Sequence, residues 1–421
     1  MLQFPLSLDN KPEGQDYYAK EWLDPNGENG KHRLAGGYLR DRPLNGGPKQ
    51  GDFIKVNYLH EIKTAQSAGI SGFMVNLQNV SGPEWDRFQV LLGAADEVNF
   101  HIVPTIDATT EFSQLPPDEV GRRLAPVFAH PSVQASGEAP VLASFATEKK
   151  EMTWWRDVIS TLEAKTGSPV DFHATLVDSS SQNISSVAPL AKAIGTWGGR
   201  TPSDASKQGE AAQRVRDLDR EWIAPVAAQD VRPTSGLYAE AENTATLRQS
   251  WSAAHDHGAE WTQLITWNDY AEGTQLAPSR NNQGAWLAMI RRLADVGDGD
   301  SPQRARQVVL TYRPHQPGAK ATRASRSMHP TLGGAAVRPR NQVEVVTFLP
   351  HEEKVRLTVG EESYEYVAPA GTHVELRPAR PGRVSVQLGA TPDCHLQATS
   401  PIVAKPLVQD LSYHADWIEC S

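Results

Sequence analysis

Short apolar runs alternate with amphipathic stretches from about residue 50 to residue 297. Each run is about as long as a buried strand of a parallel sheet, and the stretch after it has the apolar spacing of a helix. Repeated strand–helix units predict an α/β fold around a parallel sheet. The predicted strands are 72–76, 101–107, 141–145, 171–177, 193–197, 222–226 and 263–267, and the predicted helices are 54–68, 84–97, 117–129, 151–166, 205–220, 242–257 and 282–297.

An eighth candidate strand lies at Leu2–Leu6, ahead of these seven. Eight strand–helix units in a segment of this length predict a (β/α)8 TIM-like barrel. The alternative is a doubly wound open sheet, which would carry a Gly-rich phosphate-binding turn after an early strand. The sequence has no such turn, and this favours the barrel.

The pattern changes after the acidic, Gly-rich stretch 295–300. Residues 306–421 contain short alternating runs separated by Gly and Pro, a pattern typical of an antiparallel β-sandwich. We therefore predict a catalytic (β/α)8 domain over 1–298 and an accessory β-sandwich domain over 299–421. The segment 10–50 is predicted to be a long loop over the barrel mouth.

Composition excludes several classes of protein. The formal net charge is -9, and no basic stripe with interleaved aromatic residues is present, so we expect no nucleic-acid partner. The only cysteines are Cys394 and Cys420, which allow a disulfide without implying one. No Cys/His cluster has the spacing of a metal site, and we expect neither a metal nor a cofactor.

The N-terminal residues do not combine a basic region with an apolar one, so no signal peptide is visible. The sequence has no apolar run of about 18 residues, and we expect no membrane span. The localisation stays open between a secreted mature form and a virion component, either of which would act on an extracellular glycan.

Several predicted strands end in a polar or aromatic residue. The carboxyl ends of barrel strands meet at one mouth, where such side chains would line a polar cleft. A helix cap or a turn explains any one of them equally well. The residues at these ends are Asn76, Asp107, Asp178, Trp197, Gln229, Asp230 and Asn268.

Asp269 and Glu272 follow the last predicted strand, three residues apart. Glycoside hydrolysis needs two carboxyl groups beside the scissile bond, one as an acid and one as a base or nucleophile. Trp267 and Tyr270 could wall this pair, exclude water and raise the pKa of one carboxyl. In the alternative interpretation, Asn268 and Asp269 cap the final helix and Glu272 completes its first turn.

The segment Trp267–Glu272 resembles the Trp-Asn-Asp-Tyr-Gly-Glu signature of family 71 glycoside hydrolases, the α-1,3-glucanases or mutanases. Segments 68–76, 140–148 and 222–226 are similar to other strands of that family, and residues 4–44 resemble its actinobacterial branch. The resemblance implies inversion, with Asp269 as the base and Glu272 as the acid. This sequence differs from the family at Ala271, where the family has Gly, and at Gly273, where the family has Ser.

Further substrate-binding candidates lie around this pair. Asp107 and Glu148 are expected to bind sugar hydroxyls, and Trp197 and Trp267 to stack on sugar rings. The predicted partner is a polysaccharide, most simply an α-glucan. The alternative function is that of a carbohydrate-binding or structural component of a virus tail or cell-surface assembly, in which the chain would form a homo-oligomer or a larger assembly.

Overall fold

A computed structural model describes residues 4–137, 139–297, 306–323, 326–330, 338–389 and 394–420. Seven parallel strands, β1 to β7, pair in chain order, each with the next. This is a TIM-like (β/α)8 arrangement, as predicted. The strands are Gly72–Leu77, His101–Asp107, Ala139–Phe145, Asp171–Leu176, Ala193–Thr196, Glu221–Ala227 and Trp261–Ile265.

Helices follow the strands on the outside of the sheet and begin where the sequence provides caps. The Asp52 side chain accepts a hydrogen bond from the Lys55 amide, and Pro83 and Pro117 occupy first-turn positions. The predicted helix 205–220 is interrupted and forms two shorter helices. The helices are Phe53–Ser67, Pro83–Glu97, Pro117–Phe128, Met152–Thr166, Ser181–Val187, Pro202–Ala205, Gln208–Arg216, Ala245–Asp256 and Ala285–Gly297.

Alternate residues of each barrel strand join one apolar core with these helices. In β1, Phe73, Val75 and Leu77 belong to that core. Because side chains alternate along a strand, Met74 and Asn76 face the barrel axis. The same alternation turns the polar residues at the strand ends toward the mouth.

The eighth predicted strand, Leu2–Leu6, is not formed in its described part, since Phe4–Leu6 have no strand pairing, and positions 2 and 3 lie outside the described residues. Side chains occupy the space between β7 and β1 instead. The Trp267 ring lies 5.0 Å from the Phe73 ring, centroid to centroid. Asn268 Nδ2 donates a 2.8 Å hydrogen bond to the Phe4 carbonyl, which fixes the N-terminal segment there.

The C-terminal part contains two four-stranded antiparallel sheets in a sandwich-like arrangement. The short alternating runs of the sequence form strands, and the strands His395–Gln397 and His414–Cys420 complete the sheets. Cys394 and Cys420 form a disulfide. The strands in chain order are Arg306–Tyr312, Gln342–Leu349, Glu353–Val359, Glu362–Ala368, Gly371–Pro378, Val384–Leu388, His395–Gln397 and His414–Cys420.

The sandwich packs directly against the barrel. Val309, Val346 and Phe348 belong to the barrel core cluster. Arg313 and Glu240 form an ion pair of 3.0 Å in which both side chains are buried. A buried pair of this kind is costly to break, so the two parts are held in a fixed relation. Among the described residues, no helix has the length and apolar character needed to cross a membrane.

Candidate functional site

The segment after β7 forms a closed turn that presents Asp269 and Glu272. Thr266 and Thr274 join its two ends, since the Thr266 amide donates to the Thr274 carbonyl at 3.0 Å. Within the turn, Asp269 Oδ1 accepts hydrogen bonds from the Ala271 amide at 3.2 Å and the Glu272 amide at 3.3 Å. The final helix begins only at Ala285, so the pair does not cap it.

Gly273 explains one departure from the family signature. Its φ is +61°, and a Cβ at this position would lie 2.9 Å from the Val231 carbonyl oxygen. The Val231 amide also donates to the Glu272 carbonyl at 2.7 Å. The turn is therefore pressed against the chain that follows β6, and only glycine fits at position 273 without a shift.

Burial raises the pKa of Asp269, whereas the amides of Glu272 and Ala271 and the charge of Arg232 oppose the rise. Burial raises the pKa of Glu272 to about 7, with a further contribution from the Asp269 charge, and Arg232 and Arg200 oppose it. The two carboxyls therefore titrate as a coupled pair. Asp269 carries the specific hydrogen bonds that favour the ionised form.

Arg232 connects Glu272 to Asp230. Its Nε and Nη2 atoms lie 2.8 and 2.7 Å from the Asp230 carboxylate oxygens. Its Nη1 atom lies 2.8 Å from Glu272 Oε1. Asp230 is buried, and Arg232 balances its charge.

Asn76 and Asp107 meet at the ends of β1 and β2. Asn76 Nδ2 donates to Asp107 Oδ2 at 3.0 Å, and the amide and hydroxyl of Thr109 donate to Asp107 Oδ1 at 2.8 and 2.6 Å. Asn76 Oδ1 is buried and has no partner among the residues described. This acceptor suits a hydroxyl donor from a ligand in the mouth.

Glu148 and Asp178 have backbone partners at the next strand ends. Glu148 Oε1 accepts hydrogen bonds from the amides of Val177 at 3.2 Å and Asp178 at 3.0 Å. Asp178 is exposed, and its Oδ1 accepts from the Ser180 amide at 3.1 Å, ahead of the helix Ser181–Val187. These contacts stabilise the turn after β4, and the predicted sugar-binding roles stay predictions.

Trp197 is partly exposed beyond β5. Its ring makes an edge contact with Phe145, with centroids 4.7 Å apart, and the Arg200 guanidinium lies 5.3 Å from the ring centroid. Phe145 is the last residue of β3 and faces the mouth with Trp197. The two rings form an apolar wall on the far side of the mouth from β1.

Four other predicted site residues are buried. Trp267 is only 7% exposed and donates to Glu61 from its indole nitrogen, so it has little ring face to offer a sugar. Asn268 donates a hydrogen bond to the Phe4 carbonyl, and Gln229 accepts a hydrogen bond from the Tyr413 amide at 2.8 Å.

Tyr270 packs on Phe4 and lines a cavity of about 10 Å³, the size of one water molecule. The contacts of these four residues are those of packing residues.

The long N-terminal loop adds an aromatic group that strand patterns did not reveal. The Tyr38 ring packs with Phe4 at 6.3 Å between centroids, and Phe4 packs at 6.0 Å with Tyr270, which follows Asp269 in the chain. Burial raises the pKa of Tyr38, and the charges of Asp269, Glu28 and Glu272 add to the rise. The His32 ring stacks on Tyr38 with centroids 4.6 Å apart. This placement supports the expected position of the loop at the mouth.

Glu28 organises that loop. Its Oε1 accepts hydrogen bonds from the Tyr17 hydroxyl at 2.9 Å and the Trp22 indole nitrogen at 3.1 Å, and its Oε2 lies 3.2 Å from His32 Nε2. Burial alone would raise the pKa of Glu28, but these hydrogen bonds outweigh it and lower the pKa. The aromatic residues in this Gly-rich segment were the only sequence signal of the group.

Arg200 and Arg232 are the other functional candidates that sequence reasoning missed. Both follow strand ends, at β5 and β6, and both act on the pKa of Glu272. Among the described residues, no group of three or more His, Cys, Asp or Glu side chains could hold a metal ion.

Comparison with solved structures finds the same fold in distant proteins. A GH99 endo-α-mannosidase from Bacteroides thetaiotaomicron in complex with bis-tris propane superposes with a TM-score of 0.53 at 15% identity, covering 66% of this chain and 95% of that one. A second structure of the GH99 endo-α-mannosidase from the same organism gives a TM-score of 0.53 at 14% identity, covering 64% and 87%. At this identity the likeness concerns the fold.

A comparison with curated proteins finds no match. The sequence profile of glycosyl hydrolase family 71 matches residues 49–407, which is most of the chain and includes the carboxylate pair. The match extends from the barrel into the C-terminal sheets. The chain therefore belongs to glycosyl hydrolase family 71 and is a glycosidase that acts on a polysaccharide.

Proposed function

We propose that the protein hydrolyses an α-glucan, with α-1,3 linkages as the first candidate, through Asp269 and Glu272. The observation that carries the proposal is the closed turn after β7, where Asp269 accepts two backbone hydrogen bonds and Glu272, three residues on, pairs with Arg232. Burial in this setting raises the pKa of Glu272 to about 7. An acid that works near neutral pH needs such a pKa, and its partner needs to be ionised. The family match supports the substrate class.

In the proposed reaction, Glu272 gives its proton to the glycosidic oxygen as the bond from that oxygen to the anomeric carbon breaks. Asp269 removes a proton from a water molecule, whose oxygen bonds to the same carbon from the opposite face. One water is consumed, the anomeric configuration inverts, and proton exchange with solvent restores both carboxyls. Arg232 stabilises the Glu272 carboxylate that proton transfer leaves behind.

We also propose that the chain divides into a catalytic domain, 1–298, and an accessory domain, 299–421, that supports the barrel. The packing of Val309, Val346 and Phe348 in the barrel core supports this role. So does the hydrogen bond from the Tyr413 amide to Gln229, next to Asp230 in the chain. Loosening this interface should therefore disturb Asp230 and Arg232.

The test is digestion of α-glucans of defined linkage by the parent enzyme, Asp269→Asn and Glu272→Gln. We expect release of reducing ends from α-1,3-glucan by the parent and a loss of at least about a hundredfold in both variants. Glu210→Gln, on an exposed helix position, is the matched control and should retain parent activity. Substantial activity in both active-site variants, or retention of the glycan without cleavage by the parent, would contradict the proposal.

A further inference from the structure

Arg200 is a buried arginine with half of its guanidinium engaged. The side chain is 4% exposed. Its Nη1 atom donates to the carbonyl oxygens of Trp197 at 2.7 Å, Gly198 at 3.1 Å and Gly199 at 3.3 Å. These three contacts hold the guanidinium in place through its Nη1 atom.

The opposite edge has no such contacts. Arg200 Nε and Nη2 are both buried and have no hydrogen-bond partner within the described parts of the chain. A charged donor left unpaired in the interior costs more than a neutral one, so a protein rarely buries two on one side chain without use. The edge is therefore a candidate site for an external acceptor.

Other arginines of this chain show what that edge binds. Arg232 uses Nε and Nη2 to contact both oxygens of Asp230, and Arg306 uses the same two atoms for both oxygens of Glu353. The fork suits two oxygen atoms that lie side by side in one plane. Arg200 presents the same geometry without a protein acceptor.

Arg200 follows the carboxyl end of β5, the end of the strand at which the barrel mouth lies. The guanidinium sits over the Trp197 ring, which is partly exposed there. Burial lowers the pKa of Arg200 to about 10, while the charges of Asp230 and Glu272 oppose the decrease, so the group lies within electrostatic reach of both. Arg200 and Glu272 therefore lie at the same end of the barrel.

We propose that Arg200 is a substrate-binding residue that donates from Nε and Nη2 to two adjacent hydroxyl oxygens of a neutral sugar bound next to Glu272. The inference rests on the proposed function and deepens it by naming a contact in the substrate site. Asp269, the proposed base, lies at the same mouth and in its ionised form would repel an acidic sugar. A vicinal diol supplies the two oxygens without that penalty.

The test compares Arg200→Lys with Arg306→Lys. Lysine at position 200 keeps a charge that can bind the Trp197 carbonyl, but it lacks the two-atom edge. Arg306→Lys removes the same kind of fork in the sandwich, far along the chain from the site. Both changes are made in the Asp269→Asn background, so that binding is measured without turnover.

Titration calorimetry with α-1,3-linked gluco-oligosaccharides gives the readout. We expect Arg200→Lys to raise Kd by about tenfold or more, with Tm close to that of the background, and Arg306→Lys to leave Kd unchanged. Arg200→Gln should raise Kd further. If Kd is the same with Arg and Lys at position 200, the inference is wrong.

Oligogalacturonides, which carry a carboxylate on each sugar, form the second arm. Tighter binding of these by the background protein, lost in Arg200→Lys, would overturn the assignment to hydroxyl oxygens. If the parent neither binds nor cleaves any α-1,3-linked oligosaccharide, the proposed function fails, and the Arg200 proposal fails with it. Cleavage by the parent with unchanged Kd in Arg200→Lys refutes the Arg200 proposal alone.

Discussion

Glu272 and Arg232 form an ion pair with two contacts, Nη1 to Oε1 at 2.8 Å and Nη2 to Oε2 at 3.0 Å. The same guanidinium binds the buried carboxylate of Asp230. Glu272 therefore shares its cation with a second carboxylate, while burial and the Asp269 charge raise its pKa. Its proton affinity depends on the balance of these charges.

Removing the Arg232 charge and removing the Asp230 charge should move the pH dependence of kcat/KM in opposite directions. Arg232→Gln removes a charge that lowers the pKa of Glu272, so the alkaline limb of kcat/KM should move to higher pH. Asp230→Asn removes a charge that raises this pKa, so the limb should move to lower pH. Both variants break the same ion pair and are matched in that respect. Limbs that shift together, or not at all, would refute Glu272 as the acid.

Glu61 allows the effect of burial on a carboxyl pKa to be tested through protein stability, without an activity assay. Burial raises its pKa from 4.5 to about 7, and the Trp267 hydrogen bond only partly opposes the rise. Below pH 4.5 the carboxyl is protonated in both folded and unfolded chains, and above pH 7 the folded state carries the full cost of a buried charge. That cost is about 3 kcal/mol.

Glu61→Gln should therefore raise Tm above pH 7 and change it little below pH 4.5. Glutamine can still accept the hydrogen bond from Trp267. Thermal unfolding at an acidic and an alkaline pH, with Glu210→Gln as the exposed control, gives the measurement. A variant less stable than the parent under alkaline conditions would show that the charge of Glu61 has a partner.

Tyr38 should matter for catalysis because its ring packs on Phe4, which also packs on Tyr270 next to Asp269 in the chain. Tyr38→Ala would admit water to the mouth and so lower the pKa of Glu272. We expect kcat/KM to fall by about tenfold and its alkaline limb to move to lower pH. Leu34→Ala, at a side chain 66% exposed in the same loop, is the control. A parent-like pH profile in Tyr38→Ala would place the ring outside the active mouth.

Gly273 separates the effect of backbone conformation from that of contact. Gly47 also has a positive φ, +83°, but a Cβ there would meet nothing within 4 Å, whereas at Gly273 it would meet Val231. Gly47→Ala should cost about 1–2 kcal/mol of unfolding free energy without loss of activity. Gly273→Ala should cost more and reduce kcat, because it shifts Glu272. Equal effects of the two changes on stability and activity would exclude the contact as a cause.

The strands and helices of the barrel could be predicted because burial alone sets their pattern. The strand His101–Asp107 has the predicted bounds. Asn76 and Asp107 lie at the carboxyl ends of β1 and β2, as expected. The sequence could not exclude an eighth strand, because Leu2–Leu6 has the apolar character of a strand. The Trp267 ring, which lies against Phe73 between β7 and β1, comes from a distant part of the chain, and no local pattern predicts that contact.

Site residues were hardest to predict where side chains that are adjacent in the sequence point in different directions in the fold. Trp267, Asn268 and Tyr270 surround Asp269 in the chain, yet their side chains pack away from solvent. Arg200 and Arg232 affect the pKa of Glu272 from other segments, and no local sequence pattern reveals this. Contacts of this kind depend on the closed fold.

If Glu272 is the acid and Asp269 the base, the two variants should respond differently to the leaving group of the substrate. The measurement is kcat for an α-1,3-linked gluco-oligosaccharide and for its 2,4-dinitrophenyl glycoside, whose leaving group needs no protonation. We predict that Glu272→Gln loses activity on the first and retains it on the second, whereas Asp269→Asn loses both. Equal losses on the two substrates in Glu272→Gln would contradict the account.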